Sequence, residues 1–249
     1  MSNQHITIEE MVAIFDEAAQ FDDTVGTSPQ SHDELLKRHV APIPHSRDAL
    51  YGEMLAGRPC VVTGYPVPLQ APYINMAVDE VSPAIIEWFA TKADDEYHRV
   101  FTGPTGVRRD LTLAQIAKKW TENRTRFGVT DLHIRNANLE EVISPDVISG
   151  FNLLCRSTPG VQAQEMFSYV ISSYGHVTDS HSDDPDSTNY CFTGKKLWLA
   201  WDTYEGARAG LQDVERVPVR KKAKFNFDSW LSLPSARWFL VEQGQTLFL

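Results

Sequence analysis

The stretch Thr188-Asn-Tyr-Cys-Phe-Thr-Gly-Lys-Lys-Leu-Trp-Leu-Ala-Trp201 places β-forming residues on both sides of a Thr193-Gly194 turn and predicts two strands of a hairpin. Successive side chains of a strand point to opposite faces. Lys196, Trp198 and Ala200 therefore share one face of the second strand, and Leu197, Leu199 and Trp201 share the other. A lysine on an inward face needs an anion to stay charged there.

Working outward, further strand signals lie at residues 58–65, 97–101, 132–136, 166–173 and 238–249, each rich in β-branched or aromatic residues. Helix signals lie before them or between them. Thr7 with Glu10 forms a capping-box pattern ahead of Met11, Val12, Ile14, Phe15 and Ala18, and Ser31 with Glu34 repeats it ahead of Leu35, Leu36 and Val40. Ser82-Pro83 predicts a helix to about residue 93, Thr112 with Gln115 another, and Ser144-Pro145 a further one through Val147, Ile148, Phe151 and Leu154. Helices thus dominate before residue 160 and strands after it. That ordering predicts an α+β protein with a helical segment over 1–45 and, over 46–249, an antiparallel jelly roll (a double-stranded β-helix of the cupin kind) flanked by helices.

The 249 residues are 42% apolar, enough to bury a full core as one compact domain. A formal charge of -10 at pH 7 argues against a nucleic-acid backbone as partner and leaves a basic protein partner electrostatically open. No basic and apolar leader opens the chain and no apolar run approaches membrane-spanning length, so the expectation is an intracellular protein, cytoplasmic or nuclear, away from the membrane. Cys60, Cys155 and Cys191 are widely spaced and odd in number, which predicts reduced, packed thiols. Arg220-Lys-Lys-Ala-Lys224 reads either as a solvated loop or as a short import signal.

The chemistry concentrates in Tyr174-Gly-His-Val-Thr-Asp-Ser-His-Ser-Asp183. Residues i and i+2 of an extended strand point to one side, so His181 and Asp183 can offer an imidazole and a carboxylate to one metal ion. With a second histidine such a pair makes the facial triad of Fe(II) oxygenases and leaves three positions open. His-x-Asp is common by itself, and its context gives it meaning.

Gly175-x-x-Thr178-x-x-His181-x-Asp183, then Asn189, then Gly194-x-Lys196-x-Trp198 resembles, in order and spacing, the Jumonji-C (JmjC) family of Fe(II)/2-oxoglutarate oxygenases. Arg58-Pro-Cys-Val-Val-Thr-Gly64 is similar to that family's opening strand. Thr112-Leu-x-x-Ile116 with Leu132-His-Ile-Arg-Asn136 is similar to its helix-then-strand segment, so the resemblance covers roughly residues 45 to 249. It implies a jelly-roll domain with Fe(II) held by His181 and Asp183. It also implies that Thr178 and Lys196 grip the distal carboxylate of 2-oxoglutarate, that Asn189 contacts this co-substrate near the metal, and that O₂ takes the remaining position. Trp198, on the lysine face, could wall the co-substrate.

Two positions depart from the family pattern. His133 stands where the family often has a tyrosine touching the co-substrate, which leaves two readings: a substitute donor or a core histidine. The family's third metal ligand is a histidine shortly after a strand similar to Gly244-Gln-Thr-Leu-Phe-Leu249, yet all eight histidines lie at or before position 181. The expectation is that the working protein continues past Leu249; a two-ligand variant and a pseudoenzyme are the other readings. His176 reads as structural or substrate-facing, Asp179, Asp184 and Asp186 as an acidic loop rim, and Glu165 and Tyr169 receive no role.

The resemblance implies hydroxylation or oxidative demethylation of a C–H bond, foremost in a protein side chain. A small-molecule tailoring oxygenase acting on an amino acid or a secondary metabolite is the alternative. A cupin-like binding protein without metal is the non-enzymatic one. Oligomeric state is not legible.

Overall fold

The computed structural model describes residues 6–21, 27–92, 96–102, 107–122, 128–133, 139–144, 168–178, 188–211 and 225–249. Among them the fold mixes α and β, with seven helices and several small sheets. The chain forms two compact units, Met1–Tyr65 with Val177–Leu249, and Pro66–His176.

The first unit opens with α1 (Ile8–Gln20), whose capping box forms as its sequence requires. Thr7 Oγ1 accepts from the Glu10 N–H at 3.2 Å, and Glu10 Oε2 accepts from the Thr7 N–H at 2.9 Å. Helix α2 (His32–Lys37) follows Ser31, whose side chain makes no cap bond. Then come β1 (Ile43–Pro44), α3 (Arg47–Leu55) and β2 (Cys60–Thr63). After the second unit, the chain returns with β7 (Thr188–Tyr190), β8 (Lys195–Ala200), α6 (Thr203–Arg208), α7 (Phe227–Leu231), β9 (Arg237–Glu242) and β10 (Gln245–Phe248).

One sheet of this unit has the order β1-β2-β10-β7, with β10 antiparallel to both neighbours; the other is the antiparallel pair β8-β9. Val61 of β2, Leu247 of β10 and Cys191 just past β7 share a core with Phe239 and Val241 of β9, so the two sheets face each other. The opposite face of β8-β9 is covered by Met11 and Phe15 of α1, Leu35 of α2, and Phe227 and Trp230 of α7, all packed with Trp238. Period-two alternation sends Trp238 to one core and Phe239 to the other. The Trp238 indole N–H finds a partner in the Leu35 carbonyl at 2.8 Å, which satisfies the one polar atom this ring brings into the core.

The second unit contains α4 (Val78–Ala90), β3 (His98–Thr102), β4 (Val107–Leu111), α5 (Leu113–Glu122), β5 (Gly128–His133) and β6 (Ser168–Ser172). β3 pairs with β4 and β5 with β6, both antiparallel, and α4 packs on α5. The box before α5 is reciprocal: Thr112 Oγ1 accepts from Gln115 N–H and Gln115 Oε1 from Thr112 N–H.

Several expectations are corrected. β7 and β8 are not a hairpin; they lie in different sheets, β7 on β10 and β8 on β9. The 238–249 run is two strands, because Gly244 at φ +80° turns the chain from one sheet into the other. Helix α4 begins at Val78 rather than at Pro83, since Glu80 Oε2 accepts from the Ala77 N–H at 3.2 Å and caps an earlier turn; Pro83 sits inside the helix. Strands are also more frequent before residue 160 than expected, with β1 to β5 there and β1 and β4 unanticipated. The helix predicted from Ser144-Pro145 falls almost wholly outside the described residues. No helix among the described residues is long and apolar enough to cross a membrane.

Candidate co-substrate site

Adjacent lysines on β8 meet opposite surroundings. Lys195 points to the surface, where Glu242, its cross-strand partner on β9, lies 2.7 Å from its ammonium. Lys196 sits on the other face with Trp198 and Ala200, which pack on the core formed by Val61, Cys191, Phe239, Val241 and Leu247. Leu197, Leu199 and Trp201 pack on the helical core instead. The cross-strand neighbours of Lys196 and Trp198 are Val241 and Phe239, and the charge β9 brings to this face is Arg237, opposite Ala200, whose guanidinium donates to the Pro234 and Ala236 carbonyls.

From the opposite sheet, Asn189 pairs with Leu247, and antiparallel partners project to the same side. Leu247 belongs to the core between the sheets, as does Cys191 two residues beyond Asn189. Asn189, Cys191, Lys196 and Trp198 are therefore gathered between the two sheets.

Their electrostatics follow from burial. Burial pushes the Lys196 ammonium below the ordinary lysine range, with Cys191 opposing the shift. Burial pushes the Cys191 thiol up, and Lys196 opposes that shift in turn. The thiol is held at the turn, 3.3 Å from the Thr193 carbonyl it donates to. Among the described residues no carboxylate pairs with Lys196. Asn189 Oδ1 and Trp198 Nε1 are both buried without a hydrogen-bond partner. Each such group costs about 1–3 kcal/mol when left unmet. An ammonium and an indole N–H fit a bound carboxylate, the lysine supplying charge and the indole direction, while Asn189 Oδ1 is an acceptor and calls for a donor.

The other sequence candidates are distributed differently. Thr178 is exposed and belongs to no strand. His133 ends β5 in the second unit, opposite Ser168, and its side chain lies outside what is described. His181 and Asp183 lie outside the described residues, as do Asp179, Asp184, Asp186 and Glu165. Among the described residues no group of three or more histidine, cysteine or acidic side chains is gathered to hold a metal. His176 packs its ring against Gly128 of β5, where an added methyl group would overlap it. Tyr169 is buried on β6, its ring 6.1 Å from that of Phe89.

Sequence reading had placed Cys191 among packed thiols without a neighbour. Its i+2 spacing from Asn189 was the available signal, and it became informative only once β7 was paired with β10. The chain matches no family model and no curated protein.

Proposed function

We propose that the chain is an Fe(II)- and 2-oxoglutarate-dependent oxygenase on a jelly-roll scaffold of the JmjC kind, acting on a C–H bond of a protein side chain. The observation that supports this reading is the position of Lys196: a lysine on the apolar inter-sheet face, without a carboxylate partner among the described residues, beside a buried indole N–H of Trp198 that also lacks a partner. In this reading Lys196 binds the distal carboxylate of 2-oxoglutarate. The Trp198 indole N–H and the Asn189 carboxamide orient the acid, and Thr178 contributes from the loop before the metal pair. His181 and Asp183 hold Fe(II). When bound, iron, O₂ and 2-oxoglutarate together supply the oxidising power for hydroxylation or demethylation, 2-oxoglutarate leaving as succinate and CO₂; the protein positions the acid and the target carbon. The formal charge of -10 favours a basic peptide over an acidic one.

Isothermal titration of 2-oxoglutarate into the protein, with succinate release measured in parallel, tests the reading. Lys196→Ala is expected to weaken 2-oxoglutarate binding roughly tenfold to hundredfold, the size of a charge-assisted hydrogen bond, with the circular-dichroism spectrum retained. Unchanged affinity in that variant would sink the assignment. Turnover of free amino acids and not of peptides would move the substrate to the small-molecule class. Binding of the acid with no Fe(II) or Mn(II) uptake would leave a cupin-like binding protein.

A further inference from the structure

Lys196 lies on the face of β8 that packs against the apolar core between the two sheets. Val241 stands opposite it on β9, Trp198 follows it on β8, and Val61, Leu247 and Phe239 complete the surrounding core. Cys191 faces it from the other sheet, and Arg237, opposite Ala200 on β9, is the charged group on its own face, held by the Pro234 and Ala236 carbonyls; Glu242, the next acid along β9, is turned to Lys195 on the other side. A cation in such surroundings is charged at the expense of desolvation unless an anion arrives with it.

We infer that a dicarboxylate binding between the two sheets brings a proton with it, which Lys196 takes up. This rests on the co-substrate reading above and assigns that site a dependence on pH. The step balances as R–NH₂ + H⁺ + dicarboxylate²⁻ giving R–NH₃⁺ paired to one carboxylate, the proton coming from solvent. Both carboxyl groups of the ligand are already ionised at neutral pH, so the ligand contributes none. Burial acts on Lys196 in the direction this requires. Once the pH exceeds the lysine's own titration point in the ligand-free protein, affinity falls tenfold for each further unit.

The experiment titrates 2-oxoglutarate, and separately glutarate, into the full chain without metal, in two buffers of different ionisation enthalpy, from neutral pH to about pH 10. The expected result is uptake that grows with pH toward one proton, persists in Cys191→Ser, and disappears in Lys196→Arg, whose guanidinium stays charged throughout. A second measurement follows the Cε resonance of labelled Lys196 in the ligand-free protein: it titrates below the other lysines and shifts to the charged form on adding glutarate. Binding without uptake across the range, uptake that survives in Lys196→Arg, or an ordinary lysine titration for the Cε resonance overturns this inference alone. Failure of both acids to bind at any pH overturns the co-substrate reading with it.

Discussion

Lys195 and Lys196 show how far one residue of displacement reaches on a strand. The first is a surface ion pair with Glu242, and the second a cation turned toward Phe239 and Val241. The alternation was legible in sequence because period two is a local property of extended backbone. What the inward lysine would meet was not legible, since Val241 and Leu247 come from strands about fifty residues on. Its burial has a consequence for stability. A lysine whose folded pKa is lowered binds fewer protons folded than unfolded in the window between the two values, so the ligand-free protein gains stability as pH rises through that window. Lys196→Met is expected to raise the stability of the ligand-free protein at neutral pH by about 1 kcal/mol, measured by urea denaturation, and to remove that slope. Tyr65 carries the opposite sign. Burial pushes its hydroxyl up to about 12 from 10.0, so its contribution is complete below the unfolded value and lost as pH rises from 10.0 to about 12. Absorbance titration is expected to show a tyrosinate component near pH 12 that Tyr65→Phe removes.

At the scale of elements, capping chemistry was readable at Thr7 and Thr112 but not at Ser31, which makes no cap bond, and strand pairing was not readable. Thr7 with Glu10 and Thr112 with Gln115 close their boxes within three residues, so their outcome depends on nothing distant. Ser82-Pro83 misled because Glu80 had already capped the helix from Ala77, so Pro83 sits inside it, where it gives up the backbone bond to the carbonyl of Asp79. The predicted hairpin between β7 and β8 failed for another reason. A turn at Thr193-Gly194 fixes a change of direction, while the hydrogen-bond partner of each strand is chosen by the sheet as a whole. Gly244 decides the matter at the other end: its left-handed backbone lets β9 serve one sheet and β10 the next, with Gly244 N–H donating to the Cys191 carbonyl at 2.8 Å. Gly244→Ala is expected to cost about 1–2 kcal/mol, the penalty of a side chain in that region, seen as a lowered denaturation midpoint with unchanged slope.

Across the whole molecule, the N-terminal helices are part of the scaffold that carries the candidate site. Phe15 of α1 lies 5.2 Å from Trp238 and 5.6 Å from Phe227, ring centre to ring centre, on the face of β8-β9 opposite Lys196. Phe15→Ala is expected to lose about 3–5 kcal/mol of stability to chemical denaturation, as a cavity among aromatic rings that cannot close. From sequence alone came the α+β class, the helix caps at Thr7 and Thr112 and the two-faced reading of β8, all of which depend on neighbours within a few positions along the chain. The choice of Asn189, Lys196 and Trp198 as site residues came from the family resemblance and belongs to the proposal. Tertiary structure alone decided that β7 joins β10, that β8 joins β9, and that Cys191 faces Lys196. Those outcomes depend on which distant backbone groups satisfy one another and which apolar faces meet, and no local pattern encodes that choice.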